Sequence, residues 1–244
     1  MNIKKYIKLK NYINTIKYKL NFIKNKFTKK HKVSYSQCGE DIIIGHAFQY
    51  IGIKRPTYLD LGAHHPFIIS NTALLYKNGS TGVCIEADPA SFRAIKKYRK
   101  NDTCLNIGVG IDSKNRDADF YVMCSRVLST FSKREAERIV RDEGQKIKSI
   151  VKIPIMSVNQ IISENFKDKP NFVSIDIEGW DFEVLKSFDF EKYRPEVFCV
   201  ETLTFTQYTK EQKLNNIIEF MKEKNYFVFA DTYLNTIFVD KYSF

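Results

Sequence analysis

The sequence lacks any run of roughly 20 apolar residues, the length a helix needs to cross a bilayer, so no spanning helix is expected. It lacks the apolar block of a secretory leader near its start, and a cytoplasmic location is the expectation. It lacks a C-x-x-C pair, and its five cysteines are an odd number. Cys38, Cys84, Cys104, Cys124 and Cys199 therefore read as reduced, mostly buried thiols, not as disulfides or a zinc site. Four of them lie in apolar, strand-like contexts, and Cys38 lies in a polar stretch. The G-x-G-x-x-G that cradles a dinucleotide pyrophosphate is also missing, which speaks against a nicotinamide-dependent oxidoreductase. Finally, residues 1–32 contain no Asp, Glu or Arg, yet hold eleven Lys.

That last absence locates the charge. The net charge of +11 suggests a nucleic-acid partner until those lysines are set aside. Of the 39 Lys and Arg, 28 then remain, and the 28 Asp and Glu balance them. The body is neutral and the basicity belongs to an arm, residues 1–32. In it Tyr6, Leu9, Ile13, Ile16, Leu20, Ile23 and Phe27 recur every three or four positions, which predicts a basic amphipathic helix. Such a helix suits peripheral contact with an anionic membrane face, self-association, or docking on its own domain. No aromatic-and-glycine RNA motif accompanies it, so no nucleic acid is expected as partner.

The remaining residues, 33–244, suffice for one sizeable domain. Helical patterns are predicted at 40–52, 70–78 (capped by Ser70 or Asn71), 89–100, 132–144, 157–166, 181–188 and 209–225. Strands are predicted at 57–62, 81–88, 103–110, 117–123, 149–156, 171–179 and 195–202, with a closing antiparallel pair at 226–233 and 235–242. Alternating strands and helices predict a doubly wound α/β sheet, mostly parallel, with a hairpin at one edge.

In such a sheet ligands lie beyond the carboxyl ends of the strands. "YLDLGAHHPF" places Asp60, Gly62, Ala63, His64 and His65 there, "CIEAD" places Glu86, Ala87 and Asp88, and "SIDIEGWD" places Asp176 and Glu178. Gly62 permits a tight turn and close approach of a ligand. Glu86 can accept the hydroxyls of a ribose. A ribose acid without a phosphate cradle suits a nucleoside such as S-adenosylmethionine. Asp176 and Glu178 share a face if their strand runs through them; they could orient or deprotonate a hydroxyl, or hold a divalent cation, and no metal site is predicted. His65 is a further candidate base, with a structural histidine or a His65–Asp176–Glu201 metal site as alternatives. Gln37, Glu40 and Asp41, ahead of the first core strand, are candidates for closing the pocket and bonding the methionine carboxylate or amine of the cofactor; the alternative is a helix start, with Ser36 and Glu40 resembling an N-terminal cap. Ser129, Thr130 and Arg134 either meet the acceptor or simply begin a solvated helix. An Asn-Pro-Pro-aromatic segment, which would suggest methylation of an amino group, is absent.

"YSQCGED", "YLDLGAHHPFIISNT", "GVCIEADPASF" and "SIDIEGWDFEVLKSF" occur in one order between about residues 34 and 202. Together they resemble the FkbM family of S-adenosylmethionine-dependent methyltransferases. The resemblance implies a Rossmann-like, seven-stranded class I methyltransferase fold. It implies transfer to oxygen, commonly to a hydroxyl of a glycan sugar or of a secondary metabolite. Carried over, Asp60, Gly62 and Ala63 would contact the methionine part of the cofactor, Glu86 the ribose, and Asp176 would lie near the methyl group. His64, Asn71, Ala87, Asp88, Gln37 and Asp41 complete the expected cofactor contacts. Many members carry a glycine-rich first turn, where this chain has His64-His65-Pro66. A methyltransferase fold without catalysis and an RNA methyltransferase are the alternatives.

Overall fold

The computed structural model describes residues 33–112, 116–177, 179–203 and 213–244. The predicted arm helix, Glu178 and the first four residues of the helix expected at 209–225 lie outside these residues, and that helix begins only at Asn215. In chain order the elements are α1 (Glu40–Ile51), β1 (Tyr58–Leu61), α2 (Ala73–Lys77), β2 (Gly82–Ile85) and α3 (Pro89–Tyr98). Next come β3 (Thr103–Leu105), β4 (Gly108–Gly110), β5 (Arg116–Met123), a short 3-10 turn (Arg126–Leu128), α4 (Lys133–Glu143) and β6 (Ile147–Ser157). The chain ends with α5 (Val158–Asn165), β7 (Phe172–Ile175), α6 (Asp181–Ser187), β8 (Val197–Glu201), α7 (Asn215–Glu223), β9 (Tyr226–Asp231) and β10 (Asn235–Asp240).

Seven strands form one sheet in the order β3-β2-β1-β7-β8-β10-β9. All pairs are parallel except β10, which runs antiparallel to both β8 and β9. This is the mostly parallel, hairpin-ended sheet that the sequence resemblance implies. Its central strands are covered on both faces, and alternation of side chains sorts them. Leu59, Leu61, Val83, Ile85, Val173, Ile175, Phe198 and Val200 pack with α5, α6 and α7. Tyr58, Cys84, Phe172, Val197 and Cys199 face α1, α2 and α3 through Ile44, Phe48, Leu75 and Ile95.

Several local expectations need correction. The strand expected at 103–110 is two strands, because Asn106 turns the chain between them: its Nδ2 donates to the Glu86 and Ala87 carbonyls at 2.8 and 2.9 Å. β4 leaves the main sheet and joins a second one, order β4-β6-β5, that the sequence did not announce. The helix expected from residue 70 begins only at Ala73, with Thr72 as N-cap, and neither Ser70 nor Asn71 caps it. Strand β7 stops at Ile175, so it does not run through Asp176 to Glu178. Cys124 is exposed, not buried, and all five thiols are free.

The stretch ahead of α1 is tied down by buried carboxylates. Asp41 accepts from Ser34 Oγ, Ser36 Oγ and the amide of Tyr35 at 2.7 to 2.9 Å. Glu40 accepts from the Cys38 amide and reaches across the fold to Thr232 Oγ1 at 2.7 Å and Asn235 Nδ2 at 3.1 Å. Burial pushes the Glu40 pKa up, but these donors outweigh it and the net shift is downward.

Candidate active site

Register builds the site. Leu61 pairs with both Ile85 and Ile175, Ile85 with Leu105, and Ile175 with Val200. The next residue of each strand segment therefore stands in one row across the carboxyl ends of the sheet: Gly62, Glu86, Asn106, Asp176 and Glu201. A cavity of about 540 Å³ opens over this row.

Gly62 has φ 85°, a conformation that side chains rarely adopt. A Cβ here would lie 1.8 Å from the carbonyl oxygen of Asp176, so the close approach of the β1 and β7 ends requires glycine. The amides of Gly62 and Ala63 both donate to the Ile85 carbonyl, at 3.1 and 3.0 Å, and so fix the turn against β2. His64 follows with φ 47°, and its amide donates to Glu86 Oε2 at 2.7 Å. The other oxygen, Oε1, accepts from the Asp88 amide at 2.7 Å. Glu86 is thus held by two backbone donors. Burial nevertheless pushes its pKa up to about 7, against those two hydrogen bonds. Asp88 caps α3 through the amides of Ala90 and Ser91, and Arg126 lies 3.7 Å from it. Burial, with His65 adding to it, pushes the His64 pKa down.

Across the row, Asp181 shapes the turn that follows Asp176. Its carboxylate accepts from the amides of Ile177 and Gly179, both at 3.0 Å, so it braces the preceding loop and is not the N-cap of α6. Trp180 is that N-cap and stands on the cavity wall. Ile69 also lines the cavity, in a left-handed conformation with φ 52°. For a β-branched residue that is a strained arrangement, costing about 1–3 kcal/mol, and it is held in place by the neighbouring bond from the Ser70 amide to the Tyr35 carbonyl.

Of the residues singled out from the sequence, Gln37, Gly62, His64, Glu86, Ala87, Asp88 and Asp176 line the cavity together. Asp60, Ala63, Asn71, Asp41 and His65 do not. For Asp60 the reason is the period of the strand. Its side chain points to the opposite face from Leu59 and Leu61, where it accepts from Thr72 Oγ1 and pairs with the buried guanidinium of Arg99. Burial pushes its pKa up, and Arg99 opposes that shift. Asn71 donates to Ser174 Oγ and lies near Cys199 Sγ on that same side. Ala63 is turned into the core. Asp41 is committed to donors of Ser34, Tyr35 and Ser36. His65 Nδ1 accepts from the amides of Phe67 and Ile68, at 3.1 and 3.0 Å, which commits that nitrogen to the turn and not to a reacting proton. Ser129 and Thr130 do reach the cavity, and Arg134 is absent from its wall.

The sequence reading missed one whole side of the cavity. Ile107, Gly108, Val109, Phe120, Phe131 and Arg126, from the second sheet and its turn, line it beside Ala87 and Asp88. The available signal was "GVG": a Cβ at Gly108 would meet Phe131 at 2.5 Å, so small residues mark a crowded wall.

The family model of the methyltransferase FkbM domain matches residues 60–228. No curated protein matches the sequence. Among solved structures, a Pyrococcus horikoshii protein described as a candidate RNA methyltransferase is 12% identical, with a TM-score of 0.41 over 86% of this chain and 91% of that one. The T. thermophilus 16S rRNA N2 G1207 methyltransferase, solved with AdoMet and guanosine, is 14% identical, with a TM-score of 0.41 over 87% of this chain and 44% of that one. The seven-strand order, the turn at Gly62 and the family match over most of the chain converge: this protein belongs to the FkbM methyltransferase family.

Proposed function

We propose that the chain is an S-adenosylmethionine-dependent O-methyltransferase whose acceptor is a hydroxyl of a sugar in a glycan or glycoconjugate. The observation that carries the cofactor half is Glu86. Its carboxylate stands at the end of β2 over the cavity, positioned by the amides of His64 and Asp88. An ionised carboxylate has about four acceptor sites, so two remain for the paired hydroxyls of a ribose. The cavity volume lies within the roughly 300–1,000 Å³ usual for a small-molecule site, and the sequence carries no G-x-G-x-x-G for a pyrophosphate. These residues fit a nucleoside cofactor without phosphates.

S-adenosylmethionine, when bound, supplies an electrophilic methyl group. The chain's own residues would do the rest. Glu86 fixes the ribose, with Ala87 and Asp88 beside it. Gly62 and His64 present the β1 turn to the methionine part, and Gln37 covers it. Asp60, Ala63, Asn71 and Asp41 support that turn and its cover from behind. Asp176, beside Gly62 in the row, would orient the acceptor hydroxyl and take its proton as oxygen gains the methyl group. The resemblance noted from the sequence, and carboxylates on the β7–β8 side of the cavity, support a hydroxyl-bearing acceptor.

Calorimetric titration of S-adenosylhomocysteine into the wild type and Glu86→Ala tests this. Micromolar binding by the wild type, lost in the variant, is expected. Equal binding by both moves the nucleoside away from Glu86. Binding by neither overturns the cofactor assignment.

A further inference from the structure

The cavity wall carries a feature to which the proposed cofactor contacts assign no role. Trp180 is the single tryptophan of the chain and it is 48% exposed, on the cavity wall. Leaving a large ring open to water forgoes the stabilisation its burial would give. The backbone beneath it is fixed, because Asp181 binds the amides of Ile177 and Gly179 and the Val184 amide donates to the Trp180 carbonyl at 3.0 Å. Ile69, 50% exposed, lines the same cavity. The row contributes two carboxylates to the cavity, Asp176 from β7 and Glu201 from β8.

We propose that Trp180 is a specificity-determining residue: its indole is the platform for the C–H face of the acceptor sugar, whose hydroxyls then meet Asp176 and Glu201. The inference rests on the sugar-hydroxyl reading above. A pyranose is amphipathic, with an apolar C–H face and a rim of hydroxyl donors. An aromatic surface together with carboxylate acceptors matches both parts. A nucleobase would also stack on an indole, but its phosphates would meet the carboxylates of Asp176 and Glu201 from β7 and β8, whereas the cavity's Arg116 and Arg126 belong to β5 and the 3-10 turn after it.

Because the chain has one tryptophan, its emission reports this position alone. The test uses the full chain saturated with S-adenosylhomocysteine and titrated with methyl β-glucoside, methyl β-galactoside and their N-acetylhexosaminide counterparts. Methyl transfer to the same sugars is measured for the wild type, Trp180→Phe and Trp180→Ala. A blue shift of emission is expected with the sugars that are methylated. Trp180→Ala is expected to lower kcat/KM about 10–100-fold, chiefly through KM, with S-adenosylhomocysteine affinity unchanged and Trp180→Phe retaining most activity. Sugar methylation with unchanged emission, or at the wild-type kcat/KM in Trp180→Ala, overturns the platform while leaving the sugar acceptor intact. If the wild type binds S-adenosylhomocysteine but methylates none of these sugars, the acceptor reading fails, and the platform fails with it.

Discussion

Gly62 and Glu86 are the two residues on which the cavity depends most directly. Gly62→Ala combines a positive φ with a Cβ 1.8 Å from the Asp176 carbonyl oxygen. The expected outcome is a loss of at least about 1–3 kcal/mol, seen as a lower Tm, together with loss of S-adenosylhomocysteine binding. Glu86 brings a pH dependence. Its folded pKa of about 7 lies above the ordinary 4.5, so the folded protein holds an extra proton between those values. The stability this contributes, about 3 kcal/mol, is fully present below about pH 4.5 and is lost as pH rises through about 7. In the proposed complex ribose hydroxyls donate to the carboxylate form, so ligand affinity should run the opposite way. It should be flat above about pH 7 and fall about tenfold per unit below it. Glu86→Gln should abolish both slopes; unfolding and titration series between pH 5 and 8 will read them.

Beneath the row, β1, β3 and α3 are joined by one buried charge network. Arg99 donates to Asp102 at 2.7 Å, to Thr72 Oγ1 at 2.8 Å and to the Tyr58 hydroxyl at 2.8 Å, and it pairs with Asp60. Removing the cation leaves two buried carboxylates uncompensated, so Arg99→Met should cost about 3–5 kcal/mol in denaturant unfolding. This network also explains why the sequence was only partly legible. The strands were readable because β1, β2, β7 and β8 are short, largely apolar runs, and Gly62 and Glu86 follow from where those runs end. Asp60 stands two residues from Gly62 in the chain, yet strand alternation sends it to the other face, toward an arginine 39 positions away that no local pattern connects to it. The second sheet was hidden for a similar reason. "TCLNIGVG" reads as one strand, and only the bonds of Asn106 to the β2 end divide it.

Charge is partitioned along the chain: a neutral domain follows an arm that holds eleven lysines. The sequence expectation of peripheral membrane contact or self-association rests on that arm. Full-length protein should float with anionic liposomes at low salt and be released as salt rises, while a chain starting at Val33 should not float. For the domain, S-adenosylhomocysteine at 100 times its Kd should add about 2.7 kcal/mol to unfolding, which a thermal shift will register. The carboxylate of Glu40 and its partners Thr232 and Asn235 are separated by more than 190 positions. In chain order Asn235 follows Glu40 by nearly two hundred residues, and Gln37 stands on the segment that this bond secures. A ribosome-bound chain stalled before β10 has emerged would carry Gly62 and Glu86 yet still lack the anchor for the segment that bears Gln37. If Gln37 closes over the donor as proposed, donor binding waits on β10, long after the β1 turn and the end of β2 are in place.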